Sequence, residues 1–465
     1  MFGRGDRIQL VGLDIGSTTS RVAIADARVL HGATGRVEIG GIEERLRTEP
    51  ARTPFRGDAL DEEALLARVD GALAAGGAAP GAFFGGGALL TGLAARAPNA
   101  AAIVEELRRR VGDAVVAIAG DPRLEAWLAF HGNAGELSRG APERFVLNLD
   151  IGGGTTNLAI GRAGEVVATG WMWIGARHVE VEPGSHRVIR CSPEARRAMR
   201  RLGLDPRPGD ELSPDQCGLL LDAWLAELEG AVAGEPVDGA LVPARIELPA
   251  ERDRIDLAFS GGVGGLVYDL LAGRALPPVT AFGDLGIELA ARIARSPVLG
   301  RRVLVPEGRG RATVYGLLRH QTQLSGATVF VPGHAPVPAG DLPILGALEP
   351  GTAGGELARL IALARAARPA GAIVVRDPLD GRSLRDLGRA LGAALRAHPD
   401  PDPRPLVVLI EQNLAKALGG YATEWGRSPL PLIVLDEVSP RGAEVVRIGA
   451  PHGGVVPLSF FGMGS

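Results

Sequence analysis

The chain has 465 residues, a formal net charge of −4 and 46% hydrophobic residues, which is enough for two or three domains with full cores. This charge balance argues against a nucleic-acid partner, which would favour a strongly basic face. No apolar run approaches the length of a membrane span and the N-terminus carries no secretory pattern, so we expect a soluble, cytoplasmic protein without membrane contact.

The first predicted element is a β-hairpin. Apolar residues 8–11 and 22–25 flank a glycine-containing turn. Glycines let backbone N–H groups approach phosphate oxygens, hydroxyls add donors, and an aspartate at a strand end can hold a hydrated cation or polarise water. The turn carries Asp14, Gly16, Ser17, Thr18 and Thr19. Taken alone, it is equally consistent with an ordinary glycine-rich turn whose aspartate caps the backbone.

A helix is predicted next, over residues 121–132, with proline in its first turn and small residues at close-packing positions. A second hairpin follows it, built on residues 145–149 and 158–160. Its turn repeats the Asp-Ile-Gly of the first, which predicts two phosphate loops facing one nucleotide. This second turn carries Asp150, Gly152, Gly153, Gly154, Thr155 and Thr156.

Residues 196–234 are helical in pattern with proline interruptions, and residues 255–259 form an apolar strand. We expect that strand to break into a glycine turn before another helix, and such a turn suits an adenine ring and ribose laid against bare backbone. The turn comprises Ser260, Gly261, Gly262, Gly264 and Gly265. Residues 283–293 are either a second connecting helix or an ordinary amphipathic helix.

In the last third, apolar strands 372–375, 406–410 and 432–435 alternate with helical stretches such as 384–397. This alternation predicts a small parallel α/β region. We expect domains at residues 1–142, 143–297 and 298–465, and the sequence leaves open whether the third is independent.

Cysteine, histidine and lysine give little functional signal. Cys191 and Cys217 are expected to be buried or idle thiols. The scattered histidines, His131, His178, His186 and His320, predict no metal site. Lys416 is the single lysine, which reflects codon usage or a contact with a partner or phosphate.

The order hairpin, helix, hairpin, strand with Ser-Gly-Gly resembles the superfamily of actin, sugar kinases and Hsp70 chaperones. This resemblance implies an α/β fold. Two ribonuclease-H-like actin/Hsp70-type ATPase domains would surround a nucleotide cleft, with an additional C-terminal α/β region. In that superfamily the elements are called phosphate 1, connect 1, phosphate 2 and adenosine.

Further stretches are similar to the ethanolamine ammonia-lyase reactivating factor family. They are residues 91–100, 115–120, 124–125, 311–316, 320–330 and 411–419. Residues 175–177, 316–319 and 456–460 depart from the family pattern. The resemblance implies a chaperone that binds ethanolamine ammonia-lyase and uses ATP and Mg²⁺ to open it, so that damaged cobalamin leaves and intact cofactor enters. Cobalamin would stay on the partner. Oligomeric state and association with an ethanolamine-utilisation microcompartment are left open.

The same resemblance assigns roles. Asp14 and Asp150 would both bind the Mg²⁺, through its waters, and Asp150 would also orient or deprotonate the attacking water. Glu125 would complete the metal's water shell, with Asp121 as the alternative, or else Glu125 is a solvated helix charge. The residues of the two turns would hold the phosphates, and Ser260 to Gly265 the adenosine.

Two other functions fit the same loops. A small-molecule kinase would use Asp150 as the base for a substrate hydroxyl instead of water. A filament-forming, actin-like ATPase would need no small substrate beyond the nucleotide. The C-terminal resemblance favours the reactivating factor over both.

Overall fold

The computed structural model describes most of the chain. The described residues are 7–31, 37–79, 81–112, 114–118, 122–306, 317, 322–325, 329–332, 340–352, 354–367, 370–376, 378–397, 405–440, 443–451 and 455–463. Within these ranges, no helix combines the length and apolar character that a membrane crossing requires.

The first unit is a six-stranded sheet with the order β3-β2-β1-β7-β8, in which β4 also pairs with β2. Strands β1, β2 and β3 are antiparallel neighbours, whereas β7 and β8 continue the sheet in parallel. Its elements are β1 (Arg7–Ile15), β2 (Thr19–His31), β3 (Val37–Arg47), β4 (Ala51–Arg52), β5 (Phe55–Arg56), β6 (Ala59–Leu60), α1 (Glu62–Ala75), β7 (Gly85–Leu90), α2 (Gly92–Ala95), α3 (Ala100–Val111) and β8 (Val115–Ile118).

Helices α1 and α3 cover one face of this sheet. Helix α1 begins after Asp61, whose side chain accepts a hydrogen bond from the Ala64 N–H at 3.2 Å, the expected N-cap arrangement. The apolar stripe of α3, including Ile103 and Leu107, is fully buried against the strands. The hydrophobic stripes of both helices therefore close the core beneath the first hairpin.

Helix α4 (Pro122–Asn133) confirms the predicted connecting helix, and α5 (Gly135–Gly140) follows it. Although the predicted boundary assigns α4 to the first domain, the helix packs against the second sheet through Ala126 and Phe130. The domain boundaries themselves stay a prediction.

The second sheet repeats the plan of the first, with the order β11-β10-β9-β14 and the same change from antiparallel to parallel pairing. Two ribonuclease-H-like sheets, each led by a hairpin, agree with the predicted fold class. The elements are β9 (Phe145–Ile151), β10 (Thr156–Arg162), β11 (Glu165–Met172), β12 (Val179–Val181), β13 (Val188–Cys191), α6 (Pro193–Arg201), α7 (Pro214–Ala233), β14 (Ile255–Ser260), α8 (Gly261–Leu271) and α9 (Gly286–Arg295).

One local expectation is wrong. The sequence predicts a glycine turn between strand and helix, but α8 begins at Gly261, directly after β14. Gly261 has φ +77°, which turns the chain sharply in one residue because glycine has no Cβ. The following glycines therefore lie in the first turns of the helix.

The third sheet has seven strands in the order β15-β21-β20-β16-β17-β18-β19. The three predicted strands are confirmed as parallel neighbours, and the antiparallel part was not predicted. The elements are β15 (Thr322–Ser325), β16 (Gly340–Leu348), α10 (Gly354–Ala366), β17 (Ala372–Val375), α11 (Gly381–Ala397), β18 (Leu406–Ile410), α12 (Ala415–Ala422), β19 (Leu432–Leu435), β20 (Ala443–Ile448) and β21 (Val456–Met463).

This sheet docks on the first unit. The Gly86 N–H donates to the Thr322 hydroxyl at 2.9 Å, and the Arg447 guanidinium donates to the Ala114 carbonyl at 2.9 Å. The C-terminal region thus leaves the hairpin turns of the first two sheets free to face each other.

Candidate functional site

Both predicted hairpins are present, and their turns close in the same way. The Gly16 N–H donates to the Thr19 carbonyl at 3.0 Å, and the Gly152 N–H donates to the Thr155 carbonyl at 2.9 Å. The two turns also touch each other. A Cβ added at Gly153 would lie 2.1 Å from the Thr18 hydroxyl, so only glycine fits this approach.

A cavity of about 570 Å³ opens between the two turns. Most of the residues predicted for catalysis or nucleotide binding line it, so residues far apart in sequence share one site. These lining residues are Asp14, Gly16, Ser17, Thr18, Thr19, Glu125, Asp150, Gly152, Gly153, Gly154, Thr155, Gly261 and Gly262.

Four predicted binding residues, Thr156, Ser260, Gly264 and Gly265, are not in the cavity lining. The Thr156 hydroxyl donates to the Ile174 carbonyl at 2.8 Å. The buried Ser260 hydroxyl donates to Asp150 Oδ1 at 2.5 Å. Gly264 packs against Phe259, and Gly265 faces open space. Ser260 thus contacts the catalytic candidate itself.

Three carboxylates converge on the cavity. Burial, with a further contribution from Asp150, raises the pKa of Asp14 to about 7 although Arg21 opposes the shift. Burial and the neighbouring aspartates raise the pKa of Glu125 well above its usual range. Burial also raises the pKa of Asp150, against the hydrogen bond from Ser260. Mutual repulsion of this kind is relieved when a cation binds.

The donor set fits a hydrated Mg²⁺. Among the described residues, Asp14 Oδ1 has no hydrogen-bond partner. Asn157 stands opposite Asp150 in the hairpin register, and its hydrogen bond to Glu125 opposes the rise in the pKa of that carboxyl. Hard oxygen ligands and waters are what Mg²⁺ prefers. Asp14, Asp150 and Glu125 could hold such an ion through its waters.

The sequence prediction missed Arg21. It stands opposite Asp14 in the first hairpin and lines the cavity, where a permanent positive charge suits a phosphate oxygen. The hairpin register contains the signal, because cross-strand partners share one face of a sheet.

Arg177 and His178, in a 3₁₀ turn (Ala176–His178), were also missed. Arg177 is buried; it donates to the Ser17 carbonyl at 2.8 Å and forms an ion pair with Glu180 at 3.2 Å. Its guanidinium lies over the Phe55 ring. A residue of the second unit thereby holds the first turn in place.

His178 holds the second turn. Burial lowers its pKa to about 4, so the ring is neutral at pH 7. Nε2 lies 2.7 Å from the Gly154 carbonyl and must carry the proton, because a carbonyl only accepts. Nδ1 therefore accepts from the Ser192 hydroxyl at 2.6 Å. The His178 ring therefore holds the Gly154 carbonyl in a fixed position.

The wall formed by α8 and the segment before α9 is mainly apolar. Val263, Leu266, Ala281 and Phe282 line it, and the Phe282 side chain is 47% exposed. An open apolar wall beside two polar turns suits a flat base at one end of a phosphate chain.

Several sequence candidates lie elsewhere. Asp121, His320 and residues 311–316 are outside the described residues. Lys416 is exposed in the first turn of α12, away from the cavity. Cys191 and Cys217 are buried free thiols, as expected.

The comparison with known families decides what this chain is. The family model described as ethanolamine utilisation protein EutA matches residues 6–461. The chain belongs to the EutA family. The ethanolamine ammonia-lyase reactivase EutA of Salmonella typhimurium is 31% identical, and that of Escherichia coli K12 is 30% identical, each alignment covering 97% of both chains.

Solved structures add only distant likenesses to this member of the EutA family. An Aquifex aeolicus PPX-GPPA enzyme is 15% identical, covers 67% of this chain and 99% of its own, and has a TM-score of 0.38. The ethanolamine utilization protein EutJ of Carboxydothermus hydrogenoformans is 14% identical, covers 67% of this chain and 89% of its own, and has a TM-score of 0.30. The assignment of the fold rests on the two repeated sheets, not on these scores.

Proposed function

We propose that this protein is an ATP-hydrolysing reactivase of ethanolamine ammonia-lyase. Two observations support the proposal. The curated relatives named as that reactivase align over 97% of the chain. The cavity between the paired turns gathers three carboxylates and a set of phosphate-binding donors. The cavity is the observation that carries the ATPase step, and the relatives favour the reactivase over the kinase and the filament.

In this proposal, a bound Mg²⁺ would supply positive charge that offsets the charge developing on the phosphates during hydrolysis. Asp14 and Glu125 hold waters of the ion. Asp150 orients or deprotonates the attacking water, and its Oδ1 is already fixed by Ser260 at 2.5 Å. Arg21 and the N–H and hydroxyl groups of the turns bind the phosphates.

The adenosine would lie along the apolar wall. Gly261 and Gly262, at the start of α8, line this part of the cavity. Ser260, Gly264 and Gly265 lie behind it, so their contribution would be structural support of the wall. This division refines the roles that the resemblance implies.

Hydrolysis would be converted into motion because the turns belong to different sheets. The Leu93 N–H donates to the Ser17 hydroxyl at 2.7 Å, and the Arg177 side chain reaches the Ser17 carbonyl. Loss of the γ-phosphate removes the group that both turns bind, which changes the relative stability of open and closed clefts. We propose residues 1–142, 143–297 and 298–465 as the moving domains, with α4 carried by the second sheet.

The partner would be ethanolamine ammonia-lyase in the cytoplasm, with microcompartment association left open. Cobalamin would remain on the lyase. A tightly enclosed cofactor dissociates slowly, and a partner speeds its release only by binding an open lyase conformation more tightly than the closed one.

Reactivation of the lyase tests the proposal. Cognate lyase inactivated with a non-adenosylated cobalamin should regain activity only when this protein, ATP, Mg²⁺ and adenosylcobalamin are all present. The Asp150→Asn variant should bind ATP yet fail to restore activity over repeated cycles. No restoration, together with stoichiometric phosphorylation of a small alcohol or acid, would instead establish the kinase. Nucleotide-dependent sedimentation without restoration would establish the filament.

A further inference from the structure

A second cluster of ligating side chains lies outside the nucleotide cavity. His186, Cys217 and Glu288 place one ligand atom each within 4.8 Å of one another. They come from three separate segments, namely the β12–β13 connection, helix α7 and helix α9. We propose that this cluster is a binding site for a thiophilic divalent cation such as Zn²⁺.

The ligand types support this choice of ion. Zn²⁺ is bound by cysteine sulfur, histidine nitrogen and carboxylate oxygen, commonly by three protein ligands and a water. Mg²⁺ takes oxygen ligands instead and is a poor match for a thiol. The mixed set therefore distinguishes this cluster from the all-carboxylate group in the nucleotide cavity.

The spacing of the His186 and Glu288 ligand atoms also fits. The His186 Nε2 atom lies 3.3 Å and 3.4 Å from the two oxygens of Glu288. Two ligands at about 2.0–2.1 Å from a tetrahedral zinc ion stand about 3.3 Å apart. The nitrogen and oxygen are thus already at the separation that the ion requires.

Ordered backbone carries all three ligands. The Leu212 N–H donates to the His186 carbonyl at 3.1 Å, and the Cys217 N–H donates to the Ser213 carbonyl at 3.0 Å, in the capped start of α7. Helices α7 and α9 pack together in one core. The backbone that carries the ligands is therefore ordered before an ion binds, which limits the entropic cost of binding.

The Cys217 thiol is buried, whereas the side chains of His186 and Glu288 are partly exposed. Cys217 is 1% exposed, and burial together with Glu288 raises the pKa of its thiol to about 12. When the metal–sulfur bond forms, the thiol proton leaves to solvent and the sulfur becomes a thiolate ligand. Arg292 also neighbours the cluster, and its guanidinium donates to Asp222 at 2.7 Å.

The site would support the nucleotide cavity from behind. The connection that carries His186 joins β12 to β13, and β12 begins immediately after His178, whose ring holds the Gly154 carbonyl. A bound ion would fix this small hairpin to α7 and α9, and hence stabilise the second turn. The inference concerns binding and does not depend on the proposed reactivase function.

Cobalt(II) substitution gives the sharpest test. Metal-free, full-length protein without nucleotide is titrated with Co²⁺ alone, and we expect a sulfur-to-cobalt charge-transfer band that saturates at one ion per chain. Zn²⁺ should abolish that band by displacement. Cys217→Ser should lose the band, whereas Cys191→Ser, which removes the other buried thiol, should retain it.

His186→Gln and Glu288→Gln provide variants with an intact thiol. Each should weaken Zn²⁺ binding by more than the roughly 10–100-fold that loss of a supporting residue costs. Circular dichroism checks that every variant is folded. Zn²⁺ should raise the melting temperature of wild type and Cys191→Ser but not of the cluster variants.

Two results would overturn the site. One is a wild-type protein that shows no thiolate band at stoichiometric Co²⁺, which would mean that His186 and Glu288 form only a hydrogen bond. The other is equal Zn²⁺ affinity in wild type and folded His186→Gln, which would place any bound ion elsewhere.

Discussion

The two hairpins share their strand order and the hydrogen bond that closes the turn, yet their aspartates have different surroundings. Asp14 keeps one carboxylate oxygen without a hydrogen-bond partner among the described residues. Asp150 stands at the end of a buried relay in which Asn133 donates to Asn148 at 2.7 Å, Asn148 to Ser260 at 3.0 Å, and Ser260 to Asp150 at 2.5 Å.

This difference shows how a duplicated motif can supply two roles. A carboxylate whose orientation is fixed in advance by buried donors is suited to orienting a water. A carboxylate with an unused oxygen is suited to a cation or to a water of its shell. The motif places each aspartate at a strand end, and the neighbours determine what each can do.

Removing the charge of Asp150 should have the largest effect. Asp150→Asn keeps the shape and should keep MgATP binding, but turnover should fall by about 10²–10⁴-fold, the usual contribution of a general base. Steady-state phosphate release and nucleotide binding measure the two properties. Asp256→Asn, on the neighbouring strand and paired with Arg144, is the control. Equal turnover in wild type and Asp150→Asn would remove the assigned role.

The Asp14→Asn variant should instead weaken the binding of Mg²⁺. We expect the Mg²⁺ concentration for half-maximal turnover to rise about 10-fold or more, since a direct or water-mediated ligand is weakened. Titration of ATPase activity with Mg²⁺ measures it, with Asp26→Asn in the same hairpin as control. An unchanged Mg²⁺ requirement would place the ion elsewhere.

The Asp14→Asn variant should also change how the stability of the protein depends on pH. Because the pKa of Asp14 is raised to about 7 from 3.8, its contribution to stability is complete below the unfolded value and is lost as pH rises through the folded value. Without Mg²⁺, the melting temperature of the wild-type protein should therefore fall relative to that of Asp14→Asn as pH rises from about 4 to about 7. Parallel pH curves would contradict the raised pKa.

Ser260→Ala distinguishes the two roles considered for Ser260. If Ser260 positions Asp150 through its hydrogen bond, its removal should lower kcat by about 10-fold or more, because a hydrogen bond to a charged group contributes about 1.5–3 kcal/mol. The KM for ATP should change little. Ser138→Ala removes another fully buried serine hydroxyl, on α5, and is the control. A rise in KM with unchanged kcat would favour the adenosine contact that the sequence suggests.

His178→Gln should have the smallest effect on turnover and an informative effect on stability. The pKa of His178 is lowered from 6.5 to about 4, so its contribution is present above the unfolded value and is lost as pH falls toward the folded value. Relative to the variant, wild type should lose about 3 kcal/mol of unfolding free energy between about pH 7 and pH 4. Denaturant unfolding at several pH values measures this, and the opposite sign would show that the ring is charged when folded.

The sequence was most informative where local pattern fixes local structure. Both hairpins, the connecting helix α4 and strands β17, β18 and β19 lie where periodicity and turn residues predict them. The predicted start of α8 was wrong. The sequence predicts a turn made of several glycines, but one glycine with positive φ, Gly261, makes the whole turn. Strands β20 and β21 were missed because β20 pairs with β16 and β21 pairs with β15, each more than 90 residues earlier in the chain.

The sequence by itself predicted the two turns and the carboxylates that meet at one cavity, because a repeated Asp-Ile-Gly favours the same type of loop in both hairpins. Only the tertiary structure decided that Ser260 holds Asp150, that Arg177 and His178 support the turns, and that His186, Cys217 and Glu288 meet. Such contacts join segments distant along the chain. Their geometry follows from how sheets and helices pack, and local residue patterns do not encode it.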